Sequence, residues 1–200
     1  MHTLDEGHRR FEETAFHADR DLYSDLAHTH EPSALFIGCS DARVVPEVIT
    51  SKRPGELFVI RTAGNLVPPY EAADAVAASI EYAVEVLDVQ EVVICGHSAC
   101  GAMTSLALGH DLSMLPAVEG WLAKAGYSPS DTDGASGDAA VLQAVRANVV
   151  RQLANIAAYP CVHKRLLTGD LELTGWIHHI GSGRMDVLRL TEPTPDHPQH

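Results

Sequence analysis

Short apolar runs alternate along this chain with segments in which apolar residues recur at helical spacing. The runs consist mainly of Val, Ile, Leu and Phe, which is typical of strands that are buried on both faces of a sheet. Buried strands are therefore predicted at 34–37, 57–61 and 92–95, with a further strand over 171–180. Helices are predicted over 5–28, 71–87, 98–108 and 139–158, and a solvated loop over 127–138.

Strands that alternate with helices predict an α/β fold, in which helices cover both faces of a mostly parallel sheet. Two hundred residues correspond to one compact domain, so we expect a single domain over 1–190 and a frayed tail over 191–200. The predicted helix 5–28 mixes Phe11, Ala15 and Tyr23 with many charged residues. We therefore expect this helix to pack on a partner rather than on its own core.

The charge and the cysteine content of the chain limit which binding partners and which cysteine chemistry are expected. The formal net charge of −13 provides no basic surface for phosphates, which argues against nucleic acid and against an anionic membrane. The first residues lack a basic-then-apolar signal region and no apolar run approaches transmembrane length, so we expect a cytoplasmic protein without a membrane partner. Four cysteines in such a chain are expected to be thiols or metal ligands rather than disulfides.

Two of the predicted strands end in a glycine that is followed directly by a metal-binding side chain. Cys39 follows the first strand, His97 follows the third, and Cys100 lies three residues beyond His97. The carboxyl ends of parallel strands share one edge, and ligands bind there where neighbouring strands connect in opposite directions. Two thiolates and one imidazole suit zinc, and three protein ligands leave the fourth tetrahedral position open for water, as in catalytic sites.

Asp41 and Arg43 closely follow the first candidate ligand. A carboxylate at this position can accept a hydrogen bond from water on the zinc, or it can occupy the fourth zinc position itself. The planar guanidinium of Arg43 suits a two-point grip on that carboxylate, and the grip would decide between these two states. The sequence leaves both roles of Asp41 open.

Each of these motifs also has an ordinary structural interpretation. A cysteine after an apolar strand is usually a small buried side chain, a His-x-x-Cys spacing arises by chance, and Asp41 with Arg43 could form a surface ion pair. Their joint placement at the ends of two strands favours the metal site. The histidine pair at 178–179 lies on a predicted strand, where adjacent residues face opposite sides, so it cannot chelate one ion.

Three ordered blocks resemble the signature blocks of the β-class carbonic anhydrases. The blocks are Cys39-Ser40-Asp41-Ala42-Arg43, Arg61-Thr62-Ala63-Gly64-Asn65 and Gly96-His97-Ser98-Ala99-Cys100-Gly101. The likeness extends from about Phe11 to Ile180. The resemblance implies a mostly parallel four-stranded sheet extended by a fifth strand. It also implies a homodimer, or a dimer of dimers, in which the N-terminal helices embrace the partner.

The resemblance also implies a function, the reversible hydration of carbon dioxide to bicarbonate and a proton, with hydroxide on one zinc ion per chain as the nucleophile. Cys39, His97 and Cys100 would hold the zinc. Asp41, with Arg43, would orient the nucleophile or gate the fourth zinc position.

Further residues are implied to contact the substrate. Phe58, Ala63, Tyr82 and Gly101 match positions that line the substrate pocket in the family, some of which come from the neighbouring subunit. His30 stands where the family usually has a glutamine that hydrogen-bonds the substrate, and an imidazole could donate the same bond.

Two other functions stay open at this point. An enzyme of the same fold could hydrolyse carbon disulfide or carbonyl sulfide with the same metal chemistry. A non-catalytic bicarbonate-binding or structural zinc protein would normally need a fourth protein ligand, which only Asp41 could supply. A dinucleotide-binding enzyme is disfavoured, because no Gly-x-Gly-x-x-Gly motif follows the first predicted strand.

Overall fold

The computed structural model describes residues 3–71 and 74–189. These residues divide into an N-terminal unit that ends at Glu31 and a larger unit that begins at Pro32. All strands of the described chain belong to the larger unit. The tail predicted over 191–200 lies outside the described residues, and the single domain over 1–190 stays a prediction.

The N-terminal unit contains two short helices instead of the single helix predicted over 5–28. Helix α1 spans Leu4–Phe11, a wider π-helical turn spans Glu12–Phe16, and helix α2 spans Arg20–Leu26. The ring of Tyr23 lies 5.5 Å from that of Phe11 and 5.3 Å from that of Phe16, between centroids. No residue of these three elements is buried. Packing of this unit on a partner subunit stays a prediction.

The larger unit has an α/β fold built on a five-stranded sheet. Its strands are β1 (Ala34–Cys39), β2 (Leu57–Thr62), β3 (Glu91–His97), β4 (Glu172–His178) and β5 (Met185–Arg189). Its α-helices are α3 (Pro46–Thr50), α4 (Ala75–Glu81), α5 (Gly101–Ala107), α6 (Pro116–Leu122), α7 (Gly137–Ala157) and α8 (Pro160–Thr168). The four strands expected from the apolar pattern and the fifth implied by the family resemblance are confirmed.

The strand order is β2-β1-β3-β4-β5, with the first four strands parallel and β5 antiparallel to β4. The chain leaves β1 for β2 on one side, and β3 then pairs with β1 on the other side. Strands β1 and β3 therefore flank the point at which the strand order reverses. The carboxyl ends of two such strands border the crevice in which open α/β sheets bind their ligands.

Helix α7 packs closely on one face of the sheet, because two glycines leave room for it. A Cβ atom placed on Gly96 of β3 would lie 2.7 Å from Cγ2 of Val149, and one on Gly175 of β4 would lie 2.7 Å from Cγ1 of the same residue. Leu35 and Ile37 of β1 point into this main core. The opposite face holds a smaller buried cluster, which contains Phe36, Val93 and Cys95.

Several predicted boundaries differ from the structure for local reasons. Helix α5 begins at Gly101 rather than at residue 98, because Ala99 adopts a left-handed conformation with φ of 52°. Helix α4 changes at Tyr82 into a π-helical turn that spans Tyr82–Val86. Helices α3, α6 and α8 were not predicted. Within the described residues, no helix has both the length and the apolar character needed to cross a membrane.

We expect Gly175→Ala to destabilise the protein, because the added methyl group would overlap with Val149 and Leu153 of α7. Overpacking of this kind costs about 1–3 kcal/mol of the free energy of unfolding, which chemical denaturation measures. Gly120→Ala is the matched control, since nothing lies within 4 Å of a Cβ at Gly120. A Gly175→Ala protein as stable as the control would contradict the packing described.

Candidate metal centre

The sheet brings the three predicted ligands to one place. Cys39 ends β1 and His97 ends β3, the two strands that flank the reversal of strand order. Cys100 follows after a tight turn in which Ala99 is left-handed. The Ser98 amide donates to the His178 carbonyl oxygen at 2.9 Å and thereby ties this turn to β4. The turn therefore directs the thiol of Cys100 back towards the ends of the strands.

The donor atoms of Cys39, His97 and Cys100 lie within 4.8 Å of one another. The three residues are 7%, 0% and 1% exposed. Nδ1 of His97 lies 3.0 Å from the carbonyl oxygen of Ser98, which can only accept, so Nδ1 carries the proton. Nε2 then has a free lone pair, and it is buried without a hydrogen-bond partner. Because an unpaired buried polar atom is costly, this nitrogen fits a metal ligand whose outer nitrogen is already fixed.

The two thiols affect each other's ionisation. A hydrogen bond from Cys100 is the main cause that lowers the pKa of Cys39 to about 4, and the backbone amides of Gly64 and Asp41 lower it further, against the effect of burial. The same hydrogen bond to Cys39 and burial raise the pKa of Cys100. One thiolate therefore forms readily in this pair, as a soft cation requires.

A second loop completes the surroundings of Cys39. The Gly64 amide donates to Sγ of Cys39 at 3.4 Å, from the 3₁₀ turn Ala63–Asn65 that follows β2. Gly64 has φ of 74°, and a Cβ there would lie 3.0 Å from Cβ of Ala102. A glycine is needed here both for the backbone conformation and for the close approach.

Arg43 grips the carboxylate of Asp41 with the two-point geometry expected from the sequence. Nε of Arg43 donates to Oδ1 at 2.9 Å and Nη2 donates to Oδ2 at 2.7 Å, while the Arg43 amide also donates to Oδ1. Nη2 also donates to the Ala99 carbonyl oxygen at 3.0 Å. Hydrogen bonds from the Arg43 side chain are the main cause that holds the pKa of Asp41 well below its usual range. Oδ2 of Asp41 lies 3.8 Å from Nε2 of His97, so the ionised carboxylate faces the ligand group.

Arg61 has a structural role that the sequence did not indicate. Its Nε donates to the carbonyl oxygen of Cys39 at 3.0 Å, and its Nη2 donates to those of Asp41 at 2.6 Å and Val44 at 2.8 Å. The guanidinium therefore fixes the turn after β1, which carries both the first ligand and Asp41.

The predicted pocket residues fall into separate groups within one chain. Ala63 begins the turn that contacts Cys39, and Gly101 directly follows Cys100. Phe58 and Tyr82 lie together, with ring centroids 6.0 Å apart. Strand pairing places Thr62 opposite Cys39 but Phe58 opposite Leu35, so Phe58 lies about 13 Å back along the strand. The fifth residue, His30, belongs to the N-terminal unit and is exposed.

Two residues that sequence reasoning missed hold the Ala63–Asn65 turn. Nε1 of Trp121 donates to the Ala63 carbonyl oxygen at 2.9 Å, and Nδ2 of Asn148 donates to the Gly64 carbonyl oxygen at 2.9 Å. Asn148 could have been noticed, because it is an amide within the apolar stripe of a predicted helix. Trp121 lies on a helix that was not predicted, and its sequence neighbours do not indicate its role.

Comparison with known proteins agrees with this geometry. A family model described as carbonic anhydrase matches residues 34–185. A carbonic anhydrase of Pseudomonas aeruginosa is 49% identical over 94% of this chain and 87% of that protein.

Solved structures of β-carbonic anhydrases have a fold similar to that of this chain. The β-carbonic anhydrase CcaA has a TM-score of 0.87 and 42% identity over 92% of each chain. A tetrameric β-carbonic anhydrase of Sordaria macrospora has a TM-score of 0.83 and 28% identity over 92% of this chain and 94% of that one. These matches cover most of the chain, and the Cys39, His97 and Cys100 side chains lie together in the structure. The chain therefore belongs to the β-class carbonic anhydrases.

Proposed function

We propose that this protein catalyses the reversible hydration of carbon dioxide to bicarbonate and a proton, with one zinc ion per chain bound by Cys39, His97 and Cys100. The observation that carries the proposal is the buried group of three soft donors, in which Nε2 of His97 has no hydrogen-bond partner. The group lies at the carboxyl edge of the sheet, where a substrate can approach.

The donor set supports zinc. Two thiol sulfurs and one imidazole nitrogen form the Cys₂His set that is found in catalytic zinc sites, whereas magnesium and calcium prefer oxygen ligands. Asp41 lies beside this group in the grip of Arg43, which supports a fourth tetrahedral position that is open to water. Zinc bound there supplies a Lewis acid that makes water a nucleophile near neutral pH.

Asp41 and Arg43 then have separate tasks. Arg43 keeps Asp41 ionised and fixes both of its oxygens, so that the carboxylate can accept a hydrogen bond and orient the attacking water. For Asp41 to act instead as the fourth ligand, the carboxylate would have to leave this two-point contact. The observed grip supports the orienting role over the gating role.

The rival functions have less support. The matched relatives are named carbonic anhydrases, which favours carbon dioxide over carbon disulfide or carbonyl sulfide. A structural zinc site normally has four protein ligands, and the buried group contains three. No separate feature of the described chain favours a non-catalytic bicarbonate-binding protein.

Phe58 and Tyr82 support a homodimer or a dimer of dimers. This pair is set back from the candidate ligands of its own chain. We therefore propose that it lines the apolar substrate pocket of a neighbouring subunit, whereas Ala63 and Gly101 line the pocket of their own subunit. The Sordaria macrospora relatives are tetrameric, which supports assembly. A substrate contact by His30 and a cytoplasmic location stay predictions.

The central test compares zinc content with hydration activity. We expect the wild-type protein to bind about one zinc per chain and to hydrate carbon dioxide in a stopped-flow assay. Cys100→Ser should lose most of both, because a serine hydroxyl replaces a soft ligand. Cys95→Ala is the control, since this buried thiol lies outside the ligand group. A zinc-loaded wild-type protein that stays inactive up to about pH 9 would overturn the proposed function.

Arg43→Lys tests the role of the two-point grip. Lysine keeps the positive charge but cannot donate two parallel hydrogen bonds to Asp41. We expect kcat to fall about 10- to 100-fold, the usual effect of losing an outer partner, while the zinc content is retained. Arg146→Lys, in the exposed pair with Asp186, is the matched control and should leave kcat unchanged. Equal kcat values for the two variants would rule out the orienting role.

A mixing experiment tests whether each pocket combines two chains. Phe58→Ala should lower kcat/KM about tenfold, as the loss of an apolar pocket contact does. When Phe58→Ala and Cys100→Ser chains are refolded together, half of the dimers should be mixed and should contain one complete site, which restores about a quarter of the wild-type activity. A mixture of Cys39→Ser and Cys100→Ser is the control, because no complete ligand set can form. Activity no higher than the mean of the two parents would contradict the composite pocket.

A further inference from the structure

One peptide unit connects helix α6 with the metal centre. The peptide between Ala63 and Gly64 accepts a hydrogen bond at its carbonyl oxygen from Nε1 of Trp121, at 2.9 Å. Its N–H group donates to Sγ of Cys39, at 3.4 Å. Both polar ends of a single rigid plane are therefore used, one by the indole and one by a candidate zinc ligand.

The indole is itself held in a defined position. Trp121 is half-buried and packs against the main core. Nζ of Lys124 lies 5.6 Å from the centroid of its ring and 4.0 Å from the Asp74 carboxylate. Asp74 in turn accepts hydrogen bonds from the first amides of α4. These contacts join the segment directly after α6 to the start of α4, next to the indole ring.

The next peptide of the turn is held independently. Nδ2 of Asn148, in α7, donates to the Gly64 carbonyl oxygen at 2.9 Å in a buried position. Loss of the Trp121 hydrogen bond would therefore leave the turn in place. The loss would free only the Ala63–Gly64 peptide to rotate, and with it the N–H group that points at the sulfur.

We propose that Trp121 is a positioning residue for the metal centre, which sets the donor strength of the Cys39 thiolate through the Ala63–Gly64 peptide. The inference rests on the proposed zinc site. An N–H donor draws electron density from a ligating sulfur, and hydrogen bonds to ligand sulfurs tune metal centres in this way. A hydrogen bond to the carbonyl oxygen of the same peptide polarises its N–H group and strengthens that effect.

Cobalt(II) substitution makes the proposal measurable, because the sulfur-to-cobalt charge-transfer band reports how strongly the thiolates donate. In Trp121→Phe the ring is kept and the N–H group is lost. We expect this band to move to longer wavelength, because the sulfur of Cys39 keeps more of its electron density when the N–H group that faces it is less polarised. Trp176→Phe is the matched control, since Trp176 packs on the opposite face of the sheet beside Phe36, and its band should not move.

A second replacement keeps the test independent of packing defects. In the Trp176→Phe background, incorporation of benzothienylalanine replaces only Trp121 and exchanges its N–H group for sulfur in a ring of nearly the same shape. The same shift to longer wavelength is expected, because the ring still fills its place and only the hydrogen bond to Ala63 is lost. A band that coincides with that of the wild type in this protein, or an equal shift in the Trp176→Phe control, would overturn the positioning role.

The cobalt spectrum of the wild-type protein separates the two proposals. If the wild-type protein shows no thiolate-to-cobalt band, the metal site itself is wrong and the proposed function fails with it. If the band is present and carbon dioxide is hydrated, but the band is insensitive to the Trp121 replacements, only the positioning role fails.

Discussion

The structure depends most on the burial of three soft donors at one point. Thiols and an imidazole nitrogen gathered within 4.8 Å, with the lone pair of His97 unmatched, are unfavourable in an apolar interior unless a cation is bound among them. The fold tolerates this arrangement because it lies at the carboxyl edge of the sheet, where β1 and β3 both end. Burial of these donors therefore lowers the stability of the protein without a metal, while it provides the donor set that a metal needs. The surrounding contacts hold the donors in place and so limit this cost.

Those contacts act mainly through the backbone. Arg61 binds three carbonyl oxygens of the turn after β1, and the Gly64 amide reaches the sulfur of Cys39. The Ser98 carbonyl oxygen fixes the His97 ring, while the Ser98 amide is tied to β4. The candidate ligands Cys39 and His97 are thus oriented by groups outside the donor set, which is how protein sites prepare a ligand set for an ion.

The sequence could place the three candidate ligands together because their positions follow from topology. A side chain directly after a buried parallel strand lies at the carboxyl edge of the sheet, so Cys39 and His97 could be placed together before any contact was known. The contacts of Trp121 and Asn148 with the 63–65 turn could not be predicted in the same way, since each joins distant segments through one side-chain atom. The π-helical turn at Tyr82–Val86 was missed because helical periodicity does not distinguish it from a regular helix.

Two departures from local backbone preference lie beside the candidate ligands. Asn65 and Ala99 are non-glycine residues with positive φ, and both lie in turns that contact the metal centre. A left-handed alanine is uncommon and costs of the order of 1–2 kcal/mol. Here it ends the continuation of β3 and redirects the chain, so that Cys100 faces the same point as His97 within three residues. A helix that began at residue 98, as its apolar spacing predicts, would remove this redirection. The local cost at Ala99 is therefore offset by the ligand set that it makes possible, and local propensity fails here because the site requires it to fail.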